Sequence, residues 1–207
     1  MDGVALTQLI PIAELAPGAV GAIRNEVINS LLEQVSRELS LPKSKLVVRD
    51  LRPVEDLTLY STATTATTIN DWIFTTAAST VTGYVNIAST TMADQRYVAI
   101  FGVRDLRNVY DGKSLVAVAT VAYGRSLAQV VSLIKITVGG ADKAIWDITK
   151  LQAYPNQAVG ISPGAVIIPQ NASYAIAFYK ANGISGAIAN VMLEGVVVEP
   201  RGKVTSP

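Results

Sequence analysis

The chain has 207 residues, half of them hydrophobic and only 16 % charged, so it can bury a sizeable core and is no disordered segment. Its 17 basic and 16 acidic residues leave a net charge of +1, without the positive excess that a general nucleic-acid or acidic-membrane binder needs. Cysteine and histidine are both absent, which excludes disulfides, thiolate metal sites and cysteine nucleophiles and removes the commonest general base and metal ligand.

At the amino terminus Asp2 stands where a signal peptide carries positive charge, and Pro11 and Pro17 break the apolar stretch. No segment reaches the roughly 20 unbroken apolar residues of a membrane span. The longest run, Leu115 to Val138, is interrupted by Tyr123, Gly124, Arg125, Ser126, Gln129 and Lys135. The expectation is a soluble, intracellular chain with no transmembrane segment. Low charge with high hydropathy further implies that neighbouring copies cover part of its surface.

From Val20 the apolar residues fall at helical spacing. Val20, Ile23, Val27, Leu31, Val35 and Leu39 form a stripe, Arg24, Glu26, Glu33, Arg37 and Glu38 take the other face, and Leu41-Pro42 stops the run. The spacing predicts an amphipathic helix over Gly21 to Leu39. Its stripe serves either the domain's own sheet or, as a separable arm, a neighbouring subunit; Ile23, Val27, Leu31 and Val35 are the candidate subunit contact. Lys43 to Asp56 holds seven charges in fourteen residues and reads as a linker, with a short strand at Leu46 to Val48 as the alternative.

From Leu57 the pattern changes to period two. Fifteen of the 35 residues from Leu57 to Thr91 are Ser or Thr, which suit strand faces and loops. Strands are predicted at Asp71–Thr76, Val81–Ile87, Tyr97–Val103, Leu115–Tyr123, Val130–Val138, Lys143–Ile148, Ala165–Ile168, Ser173–Lys180 and Ala187–Val198. Asp111-Gly112 and Gly139-Gly140-Ala141-Asp142 are turn signals. Tyr97, Ala99, Phe101 and Val103 are expected on one face, and Tyr174, Ile176 and Phe178 on a core face. With no helical period after Leu57, the set predicts an antiparallel sandwich or barrel. The chain divides into an arm with its helix (1–42), a charged linker (43–56), a β domain (57–200) and a polar tail (201–207).

The search for chemistry returns little. Gly139-Gly140 lacks the Lys and Ser/Thr of a phosphate loop, no serine sits in a G-x-S-x-G elbow, and no histidine exists to complete a triad. Glu55-Asp56 and Asp105 with Asp111 are carboxylate pairs of the kind a glycosidase uses, although solvated loop charges explain them as well. Asp105, Asn108 and Asp111 offer oxygen ligands to calcium, without EF-hand spacing. Trp72, Trp146, Tyr154, Tyr174 and Tyr179 are candidates for a sugar-stacking platform. Asn171-Ala172-Ser173 matches a glycosylation sequon. No catalytic residue, cofactor, metal or specific nucleic-acid partner is assigned.

The carboxy-terminal third runs Ile161-Ser162-Pro163-Gly164-Ala165-Val166-Ile167-Ile168-Pro169-Gln170-Asn171-Ala172-Ser173-Tyr174, continues Ala175-Ile176-Ala177-Phe178-Tyr179, and ends in Met192-Leu193-Glu194-Gly195-Val196-Val197-Val198-Glu199-Pro200-Arg201-Gly202. A proline-bounded loop into a Tyr-x-Ile-x-Phe strand, then a last strand and a short polar tail, resembles the ending of single jelly-roll capsid proteins of viruses. More loosely, it resembles decoration and head-fibre proteins of phages. The resemblance spans residues 57–200 in strand count and 161–202 in wording. It implies a mainly β fold, an antiparallel jelly-roll β-sandwich or barrel of about eight strands with an N-terminal amphipathic helix. It also implies a virion structural protein, not an enzyme, that forms a symmetric oligomer such as a trimer or pentamer with other virion proteins. The amino terminus lacks the Arg/Lys-rich arm common in RNA-packaging capsids, so its arm would organise subunits or an inner layer. The alternative is a carbohydrate-binding or adhesin-type β-sandwich module.

Overall fold

Alternating apolar residues from the long strands meet in one core between two sheets, and a helix lies over the back of one of them. The structure, a computed structural model, describes residues 4–52, 74–77, 84–86, 90–105, 131–154, 159–180 and 188–203. Its strands are β1 (Leu6–Gln8), β2 (Ile10–Pro11), β3 (Leu46–Asp50), β4 (Phe74–Ala77), β5 (Tyr84–Asn86), β6 (Thr90–Thr91), β7 (Tyr97–Asp105), β8 (Val131–Val138), β9 (Ala141–Asp147), β10 (Val159–Ile168), β11 (Ser173–Lys180) and β12 (Ile188–Pro200). The helix α1 spans Ala19–Glu38.

The first sheet runs β1-β9-β8-β11, with β5 and β6 along the far edge of β11. The second runs β2-β10-β7-β12, with β3 and β4 along the far edge of β12. β3 pairs with Val196–Pro200 and β4 with Ile188–Val191 in the same direction, so the two occupy one strand position. β5 and β6 share a position on β11 in the same way. Without β1 and β2, eight positions remain, four per sheet. In chain order from β3/β4 they fall in the second, first, second, first, first, second, first and second sheet. This is the jelly-roll arrangement, two Greek keys folded into a sandwich, and it agrees with the fold class expected from the strand pattern.

The local chemistry follows the sequence. Gly139 and Gly140 both have positive φ and close the β8–β9 hairpin in two residues, the conformation that a type I′ turn requires and glycine supplies. Helix α1 ends in a Schellman-type cap: the Leu41 N–H bonds the Ser36 carbonyl and the Ser40 N–H the Arg37 carbonyl. Ser40 takes the left-handed conformation that glycine usually fills, and Pro42 follows. The inter-sheet core holds Val98, Ile100, Ile134, Ile136, Trp146, Ile168, Tyr174, Ile176, Leu193 and Val197.

Three expectations change, and one left open is resolved. The stripe of α1 packs on its own sheet: Leu31 and Val35 are fully buried with Tyr97, Ala99, Phe101, Val196 and Val198, and Ile23 and Val27 pack against the same cluster. Leu31 and Val35 have no surface left for a neighbouring subunit. Residues 46–50, read as part of a linker, are instead the strand β3. Their charges are consumed by ion pairs, Arg49 with Glu199 at 2.9 Å and Asp50 with Arg24 at 2.6 Å, which makes a charged segment compatible with a sheet edge. Residues 6–11 form two short strands where none was expected. Finally, Val103 leaves the face of Tyr97, Ala99 and Phe101 and joins the inter-sheet core. Phe101 is an extra residue against β12, where Gly102 pairs with Glu194 and Ile100 with Gly195. Such a bulge inverts the alternation beyond it. The predicted strand Leu115–Tyr123 and the side chain of Phe178 lie outside the described residues.

Candidate functional site

At the end of the sandwich holding the 92–96 and 169–172 turns, the Glu199 carboxylate is buried and accepts from Arg49 Nε at 2.9 Å and Arg96 Nε at 3.0 Å. Asp94 bonds Lys203 Nζ at 3.1 Å and Asn171 Nδ2 at 3.4 Å, and these donors hold its carboxyl below its ordinary pKa, Lys203 most strongly. The Gln95 N–H donates to Gln170 Oε1 at 2.9 Å. On the back of the second sheet, Tyr97 donates its buried hydroxyl to Glu38 of α1 at 2.8 Å; burial, then that carboxylate, raises the phenol pKa well above its ordinary 10. These groups tie turns to strands and helix to sheet. Among the described residues no acid, base and nucleophile converge and no three carboxylates gather as metal ligands.

The most distinctive constellation lies at the lateral edge formed by β9 and β10. There residues 4–11 cross from one sheet to the other as a strap. β1 pairs in parallel with β9, Leu6 opposite Ile145 and Gln8 opposite Asp147; β2 pairs antiparallel with β10, Ile10 opposite Ile161. Between them Leu9 drops fully buried into the inter-sheet core, and its N–H donates to the Asp147 carbonyl at 3.0 Å. Its seat exists because residue 160 is glycine: a Cβ there would stand 2.9 Å from Leu9 Cβ and 3.2 Å from Leu151 Cδ1. Burying one leucine this way stabilises the strap by about 1.5–3 kcal/mol.

A short 3-10 turn, Thr149–Ala153, supplies a polar clasp just beyond the strap. Lys150 Nζ and the Tyr154 hydroxyl (2.8 Å) both donate to the Glu14 carboxylate. The Lys150 bond first, then that of Tyr154, holds the Glu14 carboxyl below its ordinary 4.5, while Glu14 raises the Tyr154 phenol. Chemically this edge is a groove for an extended peptide, with backbone pairing on both walls, one apolar socket and one cationic clasp. The sequence signal was slight: in Leu6-Thr7-Gln8-Leu9-Ile10-Pro11, two strands are too short to show a period.

The residues singled out earlier scatter. Trp146 and Tyr174 are buried in the inter-sheet core and offer no platform to a sugar. Tyr154 stands half-buried at the clasp, apart from both. Trp72, Glu55, Asp56, Asn108 and Asp111 lie outside the described residues, as do the side chains of Asp105 and Tyr179. Asn171 is exposed on its turn. Ile23, Val27, Leu31 and Val35 are brought together, under α1, against the chain's own second sheet.

No family model matches the chain, and no curated protein matches it. Among solved structures it is similar to the tandem CBM51 modules of Sp3GH98, the family 98 glycoside hydrolase from Streptococcus pneumoniae SP3-BS71. The TM-score is 0.33 at 15% identity, over 80% of this chain and 44% of that one. The chain thus spans less than half of that structure, and a likeness so distant transfers no role.

Proposed function

We propose that the chain is a structural protein of a virion, a capsid-type jelly-roll subunit that works through symmetric contacts with its own copies and with other virion proteins, and that it catalyses nothing. The observation that carries this reading is the eight-position jelly roll built from a chain with so little charge. Jelly rolls recur in viral capsids, in lectins and in cupin barrels, and fold alone does not choose among them. The residue inventory supports the subunit reading. A metal-dependent barrel enzyme draws on histidine, which the chain lacks. A sugar-stacking face would use exposed aromatic rings, and two of the five candidate rings, Trp146 and Tyr174, are in the core. A subunit needs neither; it needs apolar, weakly charged surface, since charged residues are depleted at interface centres.

Light scattering and negative-stain microscopy over a concentration series, in low and high salt, test the reading. A symmetric oligomer, ring or shell is expected, with interfaces above about 1,000 Å². Assembly is expected to depend weakly on salt, because only 16 % of the residues are charged and screening acts mainly on exposed charges. A monodisperse monomer at every concentration in both salts would overturn it. Binding on a glycan array that disappears with Trp72→Ala would instead establish the carbohydrate-binding alternative.

A further inference from the structure

We propose that residues 4–14 form an exchangeable strap, which in the assembled protein docks into the β9/β10 edge groove of a second copy of this chain. The inference rests on the self-assembly reading above and names the contact that serves it.

Four features of the strap carry it. The strap is an addition: the eight jelly-roll positions close without it, and β1–β9 is the one parallel pair among the described strands. Its hold is self-contained, because the backbone pairs with β9 and β10, the Leu9 socket and the Glu14 clasp to Lys150 and Tyr154 all lie within residues 4–14 and their groove. A strap from another copy satisfies each of these bonds identically. Only Leu15 to Gly18 joins the strap to α1. Pro17 stiffens this joint, and Gly18 enters the helix at φ 83° with open space around its α-carbon and no side-chain cap. Short, stiff hinges favour strand exchange over back-folding. Lastly, Leu6 is 58% exposed on the strap, the one large hydrophobic so exposed among the described residues.

Mass action decides between the two arrangements. A short tether gives the chain's own strap an effective concentration in about the millimolar range. Copies held side by side in an assembly present a neighbour's strap at a comparable concentration, whereas dilute monomers do not. Exchange is therefore expected to accompany assembly, and a reciprocal exchange closes as a two-fold pair.

The absence of native cysteine makes the test clean. Leu6→Cys and Ile145→Cys are placed in separate chains, one with an added tag, since positions 6 and 145 are register partners across β1–β9. The two variants are unfolded, mixed and refolded together at high concentration, then treated with a short bismaleimide. Exchange is expected to give a tagged–untagged species at twice the chain mass, with a yield that rises with concentration and is absent for either variant alone. The double variant at low concentration is expected to link within one chain and reports that the reagent spans the pair. Oligomers by light scattering without the mixed species would overturn the exchange and leave the assembly reading standing. Monomers without it would overturn both.

Discussion

The two sheets face the same core yet are built differently, because only one has a helix on its back. In the first sheet Ile134, Ile136 and Val138 of β8 are buried while Leu133, Lys135 and Thr137 between them are half-exposed, and in β9 Ala144 and Trp146 alternate with Lys143 and Ile145. In the second sheet α1 seals the outer face, and the run from Tyr97 to Val103 in β7 and from Gly195 to Glu199 in β12 is buried without a break. A strand covered on both faces reads as a continuous apolar run, and a strand covered on one face alternates. Among the described side chains, charge in the second sheet is paired, as with Arg49 and Glu199 or Arg104 and Glu194. Helix α1 is thus the second half of a two-layer core.

The largest expected effect comes from removing residues 1–40. The truncation strips Leu31, Val35 and the Leu9 anchor together and opens the apolar back of the second sheet to water. Loss of cooperative unfolding by circular dichroism, with aggregation, is expected. A soluble truncated chain with a native-like transition would mean that the second sheet tolerates an open back as the first does.

Trp146→Ala follows, with an expected loss of about 3–5 kcal/mol by denaturant titration, the usual cost of truncating a large buried aromatic side chain. Lys143→Ala, at an exposed position of the same strand, is expected to stay within about 0.5 kcal/mol. Equal losses at the two positions would erase the distinction between the faces of the first sheet. Leu31→Ala is expected to cost about 2–5 kcal/mol even when the protein is dilute and monomeric. An effect seen only as weakened oligomers would return the helix stripe to a subunit contact.

Smaller effects sharpen the edges of the picture. Ser40→Gly is expected to stabilise the chain by about 0.5–1 kcal/mol, since a left-handed non-glycine residue at the end of α1 carries backbone strain that glycine relieves. An unchanged melting temperature would show that this cap does not limit the helix. The smallest effect concerns pH. Glu14 has its carboxyl pKa depressed in the folded chain, so its contribution is present above its ordinary 4.5 and is lost as the pH falls through the lower folded value. The hydrogen-exchange protection factor of the Leu9 amide is expected to fall over that acidic range, and less in Glu14→Gln. Identical profiles in the two proteins would separate the clasp from the strap.

The amino-acid pattern by itself determined much of this. Period-three-and-four spacing placed α1 within two residues of its ends. Period-two alternation located β8, β9 and β11, the outer faces of β8 and β9 stay half-exposed and keep polar residues such as Lys135, Thr137 and Lys143, and glycine chemistry marked the β8–β9 turn. What failed depended on neighbours distant in the chain. Local spacing cannot say whether a helical stripe packs on its own sheet or on another subunit, because the spacing is the same in both cases. Residues 46–50 look like a linker until Glu199 and Arg24 arrive to pair their charges. The bulge at Phe101 is set by register against β12, and it overturned a face assignment that simple alternation required. The strap had only a slight signal: Leu6 to Pro11 is too short to show a period, and its hold comes from the edges of β9 and β10, more than 130 residues away. Short-range stereochemistry chooses helix, strand and turn, but which faces are buried is decided only when two elements meet, and that meeting belongs to the tertiary structure.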